Sequence, residues 1–133
     1  MAGSDWVPPR AGRRILLIED DAALVALVSK ALTAKGYQVE VAVDGLQGLK
    51  QLDANPPNLV VVDVMMPQLD GMTLVRAIKQ HKNTRHIPVI FLTAKSDSKS
   101  VVEGINLGAK FYITKPFSLD DFLNKVQRAL KSA

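Results

Sequence analysis

Glu19 and Asp20, then Asp63, then Thr93, then Lys115 each directly follow a short apolar run: ILLI, LVVV, VIFL and FYIT. Three acids, a hydroxyl and an amine in such positions suggest one kind of site. Carboxylates brought close together repel, so either one stays protonated or a cation neutralises them. A hard, oxygen-rich pocket suits Mg²⁺, which takes one or two carboxylates and bridges to phosphate oxygens. Lys115 can pair with a carboxylate or with a phosphoryl oxygen, and Thr93 can donate a hydrogen bond to the same group. An aspartate so placed is a plausible nucleophile toward phosphorus, forming an aspartyl phosphate. That chemistry needs mainly positioning and charge neutralisation.

For these groups to meet, the chain must deliver them to one edge. Its apolar runs alternate with helix-period segments. Ile15–Ile18 and Leu59–Val62 are wholly apolar, as strands buried on both faces are; Pro88–Leu92 and Phe111–Thr114 are the fourth and fifth strands. Tyr37–Val43 alternates, with Tyr37, Val39, Val41 and Val43 on one side, and reads as a strand near an edge. Between them, Ala22–Lys35 carries a helical stripe of Leu24, Leu27, Val28, Ala31 and Leu32, and Gly36 ends it. Asp44-Gly45 caps a short helix over Leu46–Leu52, broken by Asn55-Pro56-Pro57-Asn58. Met72–His81 is helical with Leu74, Val75 and Ile78 inward. Ser98–Leu107 is a helix stopped by Gly108, and Ser118-Leu119-Asp120-Asp121 forms a capping box for a last helix to Lys131.

Strand–helix repeated five times predicts an α/β fold, a parallel sheet with helices on both faces joined by right-handed crossovers. In such sheets ligands bind outside the carboxyl ends of the strands, where strand order reverses. The candidate residues sit at those ends. Asp44 also follows a strand but caps a helix, so it is expected outside the cluster. Each residue alone has an ordinary reading: Glu19 or Asp20 as a helix cap, Asp63 as a turn residue before Pro67, Thr93 as a loop hydroxyl, Lys115 as a solvated charge. Their joint placement makes those readings inadequate.

The chain has 133 residues and 47% apolar content, enough for one core. No apolar run reaches the ~18 residues that span a bilayer, and the leading MAGSDWVPPRAGRR has no apolar signal-like stretch. There is no cysteine, which excludes disulfides, thiolate metal sites and a cysteine nucleophile and fits a cytoplasmic setting. The net charge is +4. The basic residues look scattered, with small groupings at 10–14 and 76–86, so direct nucleic-acid binding by this domain is not expected.

The stretches ILLIEDD, VVDVMMPQLDG, VIFLTAK and GAKFYITKPF, separated by 43, 30 and 22 positions between Asp20, Asp63, Thr93 and Lys115, resemble the receiver domain of two-component response regulators, similar to the bacterial chemotaxis response regulator. The likeness runs from about Arg14 to Lys131. It implies a five-stranded parallel sheet of order 2-1-3-4-5, a flavodoxin-like doubly wound sandwich, with residues 14–133 as the receiver domain and 1–13 as a flexible N-terminal segment. It implies Asp63 as phosphoacceptor, Asp20 as direct Mg²⁺ ligand, Glu19 acting on the metal through water, and the Met65 backbone carbonyl as a further ligand. Thr93 then matches the hydroxyl that senses the phosphoryl group, Ala94 the small residue that leaves the acceptor accessible, Tyr112 the switch aromatic, and Lys115 the phosphate-binding lysine. Lys115–Pro116 is expected to be cis, and Gly71 allows the turn after the acceptor loop.

The resemblance further implies a signalling switch, not an enzyme beyond self-catalysed phosphoryl transfer and dephosphorylation. It would take a phosphoryl group from a histidine kinase or phosphotransfer protein and pass its change in shape, through the fourth helix, fifth strand and last helix, to an effector. A phosphorylation-dependent dimer is a further expectation, weakened because Lys110, Phe111 and Lys125 depart from the pattern of transcription-factor relatives. Three rivals are a non-phosphorylated interaction module, a basic nucleic-acid binder that salt-dependent DNA affinity would support, and an aspartate-nucleophile phosphatase. The last needs a second aspartate where this chain has Met65.

Overall fold

A computed structural model describes residues 12–131. The expectation of a flexible segment over 1–13 therefore falls almost wholly outside the described residues. Arg13 itself is tied to the sheet, its carbonyl accepting from the Gln38 N–H at 2.8 Å.

The elements alternate throughout: β1 Arg14–Ile18, α1 Ala22–Ala34, β2 Gln38–Ala42, α2 Gly45–Ala54, β3 Leu59–Val62, α3 Gly71–Gln80, β4 Val89–Thr93, α4 Ser98–Asn106, β5 Phe111–Thr114 and α5 Leu119–Lys131. All strand pairings are parallel, in the order β2-β1-β3-β4-β5. This is the expected doubly wound fold. Strand order reverses between β1 and β3, and the site lies there.

Two cores explain why the central strands are continuous apolar runs. Ile15, Leu17, Leu59, Val61, Ile90 and Leu92 face one side, packed with Val28 and Leu32 of α1 and with Phe122 and Val126 of α5. Leu16, Ile18, Val60, Val62, Val89 and Phe91 face the other, with Leu52 of α2 and Leu74, Val75 and Ile78 of α3. Successive strand residues point to opposite faces, so both parities must be apolar. Burying each such side chain contributes about 1.5–3 kcal/mol, which is why β1, β3 and β4 sit centrally.

Helix ends follow local chemistry. Asp21, Asp44, Asp70 and Asp97 each N-cap a helix, accepting from backbone N–H groups of its first turn. Ser118 Oγ accepts from Asp121 N–H at 3.1 Å, as the capping box predicts. Gly36 and Gly108 end α1 and α4 at positive φ. Two sequence expectations shift. Leu27, placed on the inward stripe of α1, is 51% exposed, because Val28 and Leu32 already fill the space beneath the helix. Val43 lies past the end of β2 and is also exposed, while Ala42 is buried: β2 borders the sheet and needs only a small residue where it meets α2.

Candidate functional site

The strand termini assemble the site through backbone ties. Asp63 N–H donates to the Ile18 carbonyl at 3.2 Å, and Glu19 N–H to the Ala42 carbonyl at 2.9 Å. Lys115 N–H donates to the Thr93 carbonyl at 2.8 Å. Gly71 N–H reaches the Val64 carbonyl, and a Cβ at Gly71 would overlap the Asp63 carbonyl. Only glycine lets the start of α3 fold this tightly against the end of β3.

On this frame Lys115 Nζ donates to Glu19 Oε1 at 2.9 Å and to Asp63 Oδ2 at 3.0 Å. Glu19 is 2% and Asp63 5% exposed, whereas Asp20 is exposed. The other Glu19 oxygen accepts from Asp21 N–H at 3.2 Å, and Asp63 Oδ1 accepts from Met65 N–H at 2.9 Å. One carboxylate oxygen from each of Glu19, Asp20 and Asp63 lies within 4.8 Å of the others, and these three form a group that could hold a metal ion. Among the described residues no other such group of three or more His, Cys, Asp or Glu is found.

The electrostatics follow. Burial pushes the Glu19 carboxyl above its usual range, the Lys115 hydrogen bond opposes this, and the Asp63 charge adds to the rise. Burial would lower Lys115, but its hydrogen bonds to Glu19 and Asp63 prevail and hold the ammonium above its usual range. With all three acids ionised, one ammonium faces three negative charges. A divalent cation would balance that set, and oxygen donors of this kind suit Mg²⁺.

The remaining sequence candidates fall nearby. Thr93 is fully buried as the last residue of β4, its Oγ1 accepting from Lys95 N–H at 3.2 Å. Lys115–Pro116 is cis, as expected. The Met65 side chain is 58% exposed, so it is not a core residue, and the contact it makes to Asp63 is through its backbone. Asp44 caps α2 and stays outside the cluster, as expected. Tyr112 is half-buried: its ring packs on Phe91, centroids 5.4 Å apart, and its hydroxyl donates to the Lys95 carbonyl. Burial raises its phenol above the usual value, with Asp97, Asp63 and Glu103 adding to the effect. Sequence reasoning missed Lys95, because a backbone carbonyl carries no side-chain signal. It also missed Gly104, which leaves room for the Tyr112 ring: a Cβ there would lie 2.8 Å from Tyr112 Cδ2 and 3.1 Å from Phe91 Cδ2.

Comparison with known proteins places this arrangement among relatives. Residues 15–127 match the family model described as response regulator receiver domain. The transcriptional regulatory protein RprY of Bacteroides fragilis is 43% identical over 118 residues, covering 89% of this chain and 49% of that protein. The DNA-binding dual master transcriptional regulator RpaA of Synechocystis is 38% identical, with the same coverage. The chain thus spans about half the length of the curated relatives it matches. Among solved structures, the receiver domain of a signal transduction histidine kinase from Syntrophus aciditrophicus superposes with a TM-score of 0.85 at 34% identity, covering 92% of each chain. A CheY-like receiver domain protein from Methanospirillum hungatei gives 0.84 at 30% identity, covering 92% of this chain and 96% of that one.

Proposed function

This chain belongs to the response regulator receiver-domain family, the phosphorylation-dependent switches of two-component systems, and on that premise we propose that Asp63 is its phosphoacceptor. The observation that carries the reading is Lys115 Nζ bonded at once to Glu19 and Asp63, residues 96 and 52 positions away. One Asp63 oxygen attacks the phosphorus of a phosphohistidine on a kinase or phosphotransfer protein. The new O–P bond forms as the P–N bond breaks, and the electron pair leaves with the imidazole. Asp20 and Asp63, with the Met65 carbonyl and with Glu19 through water, would hold Mg²⁺, which supplies charge neutralisation for the incoming phosphoryl oxygens. Lys115 exchanges its Asp63 contact for a phosphoryl oxygen. Thr93 turns its hydroxyl from Lys95 N–H to the phosphoryl group.

That last exchange couples the site to Tyr112, because Lys95 holds both ends of the link: its N–H reaches Thr93 and its carbonyl accepts from Tyr112. Moving Thr93 releases the Lys95 N–H and biases the β4–α4 loop, and with it the surface of α4, β5 and α5. Phosphate shifts the equilibrium only as far as its contacts differ between the two states. An effector, or a second copy, reads that surface. A cytoplasmic setting is part of this proposal; among the described residues no helix is long and apolar enough to cross a membrane. The phosphatase reading is disfavoured by the exposed Met65 side chain, which offers no acid or base two positions after Asp63.

The test is labelling by a small-molecule phosphodonor with Mg²⁺, followed by intact mass. Asp63→Asn is expected to abolish the added phosphoryl mass while circular dichroism stays unchanged. Undiminished labelling of that variant would overturn the assignment.

A further inference from the structure

The basic residues that look scattered along the chain are gathered by the fold at one end. In a parallel sheet with antiparallel helices, strand starts and helix ends share a side, opposite the acidic site. That side carries Lys35 after α1, Lys79, Lys82 and Arg85 from the end of α3 and the loop that follows, and Lys110 before β5. His81 and His86 lie in the same loop, exposed. Between Asp70 and Asp97 there are five Lys or Arg, two His and no acid. Lys79 and Lys110 are close enough that, after burial, the Lys110 charge lowers the Lys79 ammonium.

These cations are not structural ion pairs. Arg76 and Lys95 bind Glu103 and Asp97, but among the described residues no salt bridge includes Lys35, Lys82, Arg85 or Lys110. Lys79 bonds the Arg85 and Ile87 carbonyls and shapes the loop that presents Lys82 and Arg85. Among the described residues the acids at this end are Asp53, exposed in the last turn of α2, Glu40, which is bonded to Asn55 and Arg14, and Glu103 in the last turn of α4, which is paired with Arg76. From this we propose that the end formed by Lys82, Arg85 and Lys110 is a docking surface for the phosphate backbone of double-helical nucleic acid.

The chemistry of the surface favours that partner. Protein interfaces are depleted in lysine and centre on a desolvated aromatic or aliphatic anchor. None of the large exposed apolar side chains lies in the loops that carry these cations; Ile105, in the last turn of α4, is the one at this end. A phosphate backbone needs no such anchor, since Lys and Arg contacts with counterion release supply the affinity. An anionic membrane offers similar charge but usually gains from inserted apolar groups, which the loops lack.

The experiment is fluorescence anisotropy of a labelled mixed-sequence DNA duplex titrated with the full chain at several salt concentrations. Binding is expected at low salt, with log K falling against log salt at a slope of about −3, the mark of roughly three neutralised phosphates. Lys82→Glu/Arg85→Glu should weaken binding at least tenfold and flatten the slope by about two, and Lys110→Glu should flatten it by about one. Lys50→Glu/Lys99→Glu, a charge-matched change on exposed positions of α2 and α4, should change little. Phosphodonor labelling, unaltered in all three, shows that they fold. The proposal is overturned by absence of binding at low salt, by equal losses in the control pair, or by tighter binding to phosphatidylserine vesicles with the same variant sensitivity.

Discussion

Replacing Asp63 by Asn should stabilise the metal-free protein, although it deletes a hydrogen-bonded ion pair. At an effective dielectric of about 20, the Asp63–Lys115 contact at 3.0 Å is worth about 5.5 kcal/mol. Against it stands repulsion from Glu19, within 4.8 Å and buried, of about 3.5 kcal/mol on the same scale. Asp20, within the same distance but exposed, adds about 1 kcal/mol or less after screening. Pairwise attraction and repulsion thus nearly cancel. What remains is the cost of removing the Asp63 carboxylate from water, several kcal/mol for a buried ion, which asparagine avoids.

Asparagine also keeps an Oδ1 for the Met65 N–H, and Lys115 keeps Glu19 at 2.9 Å, so no charge is orphaned. The expected gain is about 1–3 kcal/mol, or roughly 3–5 °C in Tm per kcal/mol for a chain of this size. Lys115→Met is the opposite case. It leaves Glu19 and Asp63 buried without their cation and should cost about 3–5 kcal/mol. The assay is urea unfolding followed by circular dichroism, with a chelator and then with saturating Mg²⁺. The metal should stabilise the natural chain and the Lys115 variant strongly and Asp63→Asn weakly, closing the gap. If Asp63→Asn is the less stable protein without metal, or if Mg²⁺ leaves the difference unaltered, the charge accounting is wrong.

Two further outcomes follow from the same geometry. Gly104→Ala places a methyl group against the Tyr112 ring, so the half-exposed ring must swing outward and release the Lys95 carbonyl; overpacking costs about 1–3 kcal/mol, offset by about 1 kcal/mol of helix propensity. Spectrophotometric titration should then find the Tyr112 phenol moved back down toward an ordinary tyrosine, and an unmoved titration would show that the methyl is accommodated elsewhere. The pH dependence has two limbs. Lys115 is raised in the folded state, so its contribution is complete below about 10.5 and is lost as pH rises through the higher folded value, a loss that Lys115→Met should not show. Glu19 is also raised above 4.5, so the fold gains from its protonation as pH falls, while Mg²⁺ must compete with that proton; Mg²⁺ affinity followed by NMR should decline before the ordinary glutamate range is reached, and a flat profile down to that range would refute the Glu19 role.

Much of the architecture was legible in the residues alone because its causes are local. Strands buried on both faces must be unbroken apolar runs, so Leu59–Val62 and Phe111–Thr114 are read with their true ends. Helices begin at Asp and Ser caps whose oxygens bond the next turn, as Asp44 and Ser118 do. The candidate site was legible for the same reason: once each strand end is located, the residue after it is known, and the motif resemblance assigns it a role. What the sequence could not express is distance between loops. That Lys115 reaches both Glu19 and Asp63 depends on the twist and register of β1, β3 and β5, and that Leu27 faces solvent depends on what already fills the space under α1. The Lys95 carbonyl that holds Tyr112 has no letter of its own. The basic end exists only because parallel strands and antiparallel helices bring Lys35, Lys82, Arg85 and Lys110 to one side. Periodicity and capping act over a few residues, whereas these four features are set by packing across the whole sheet.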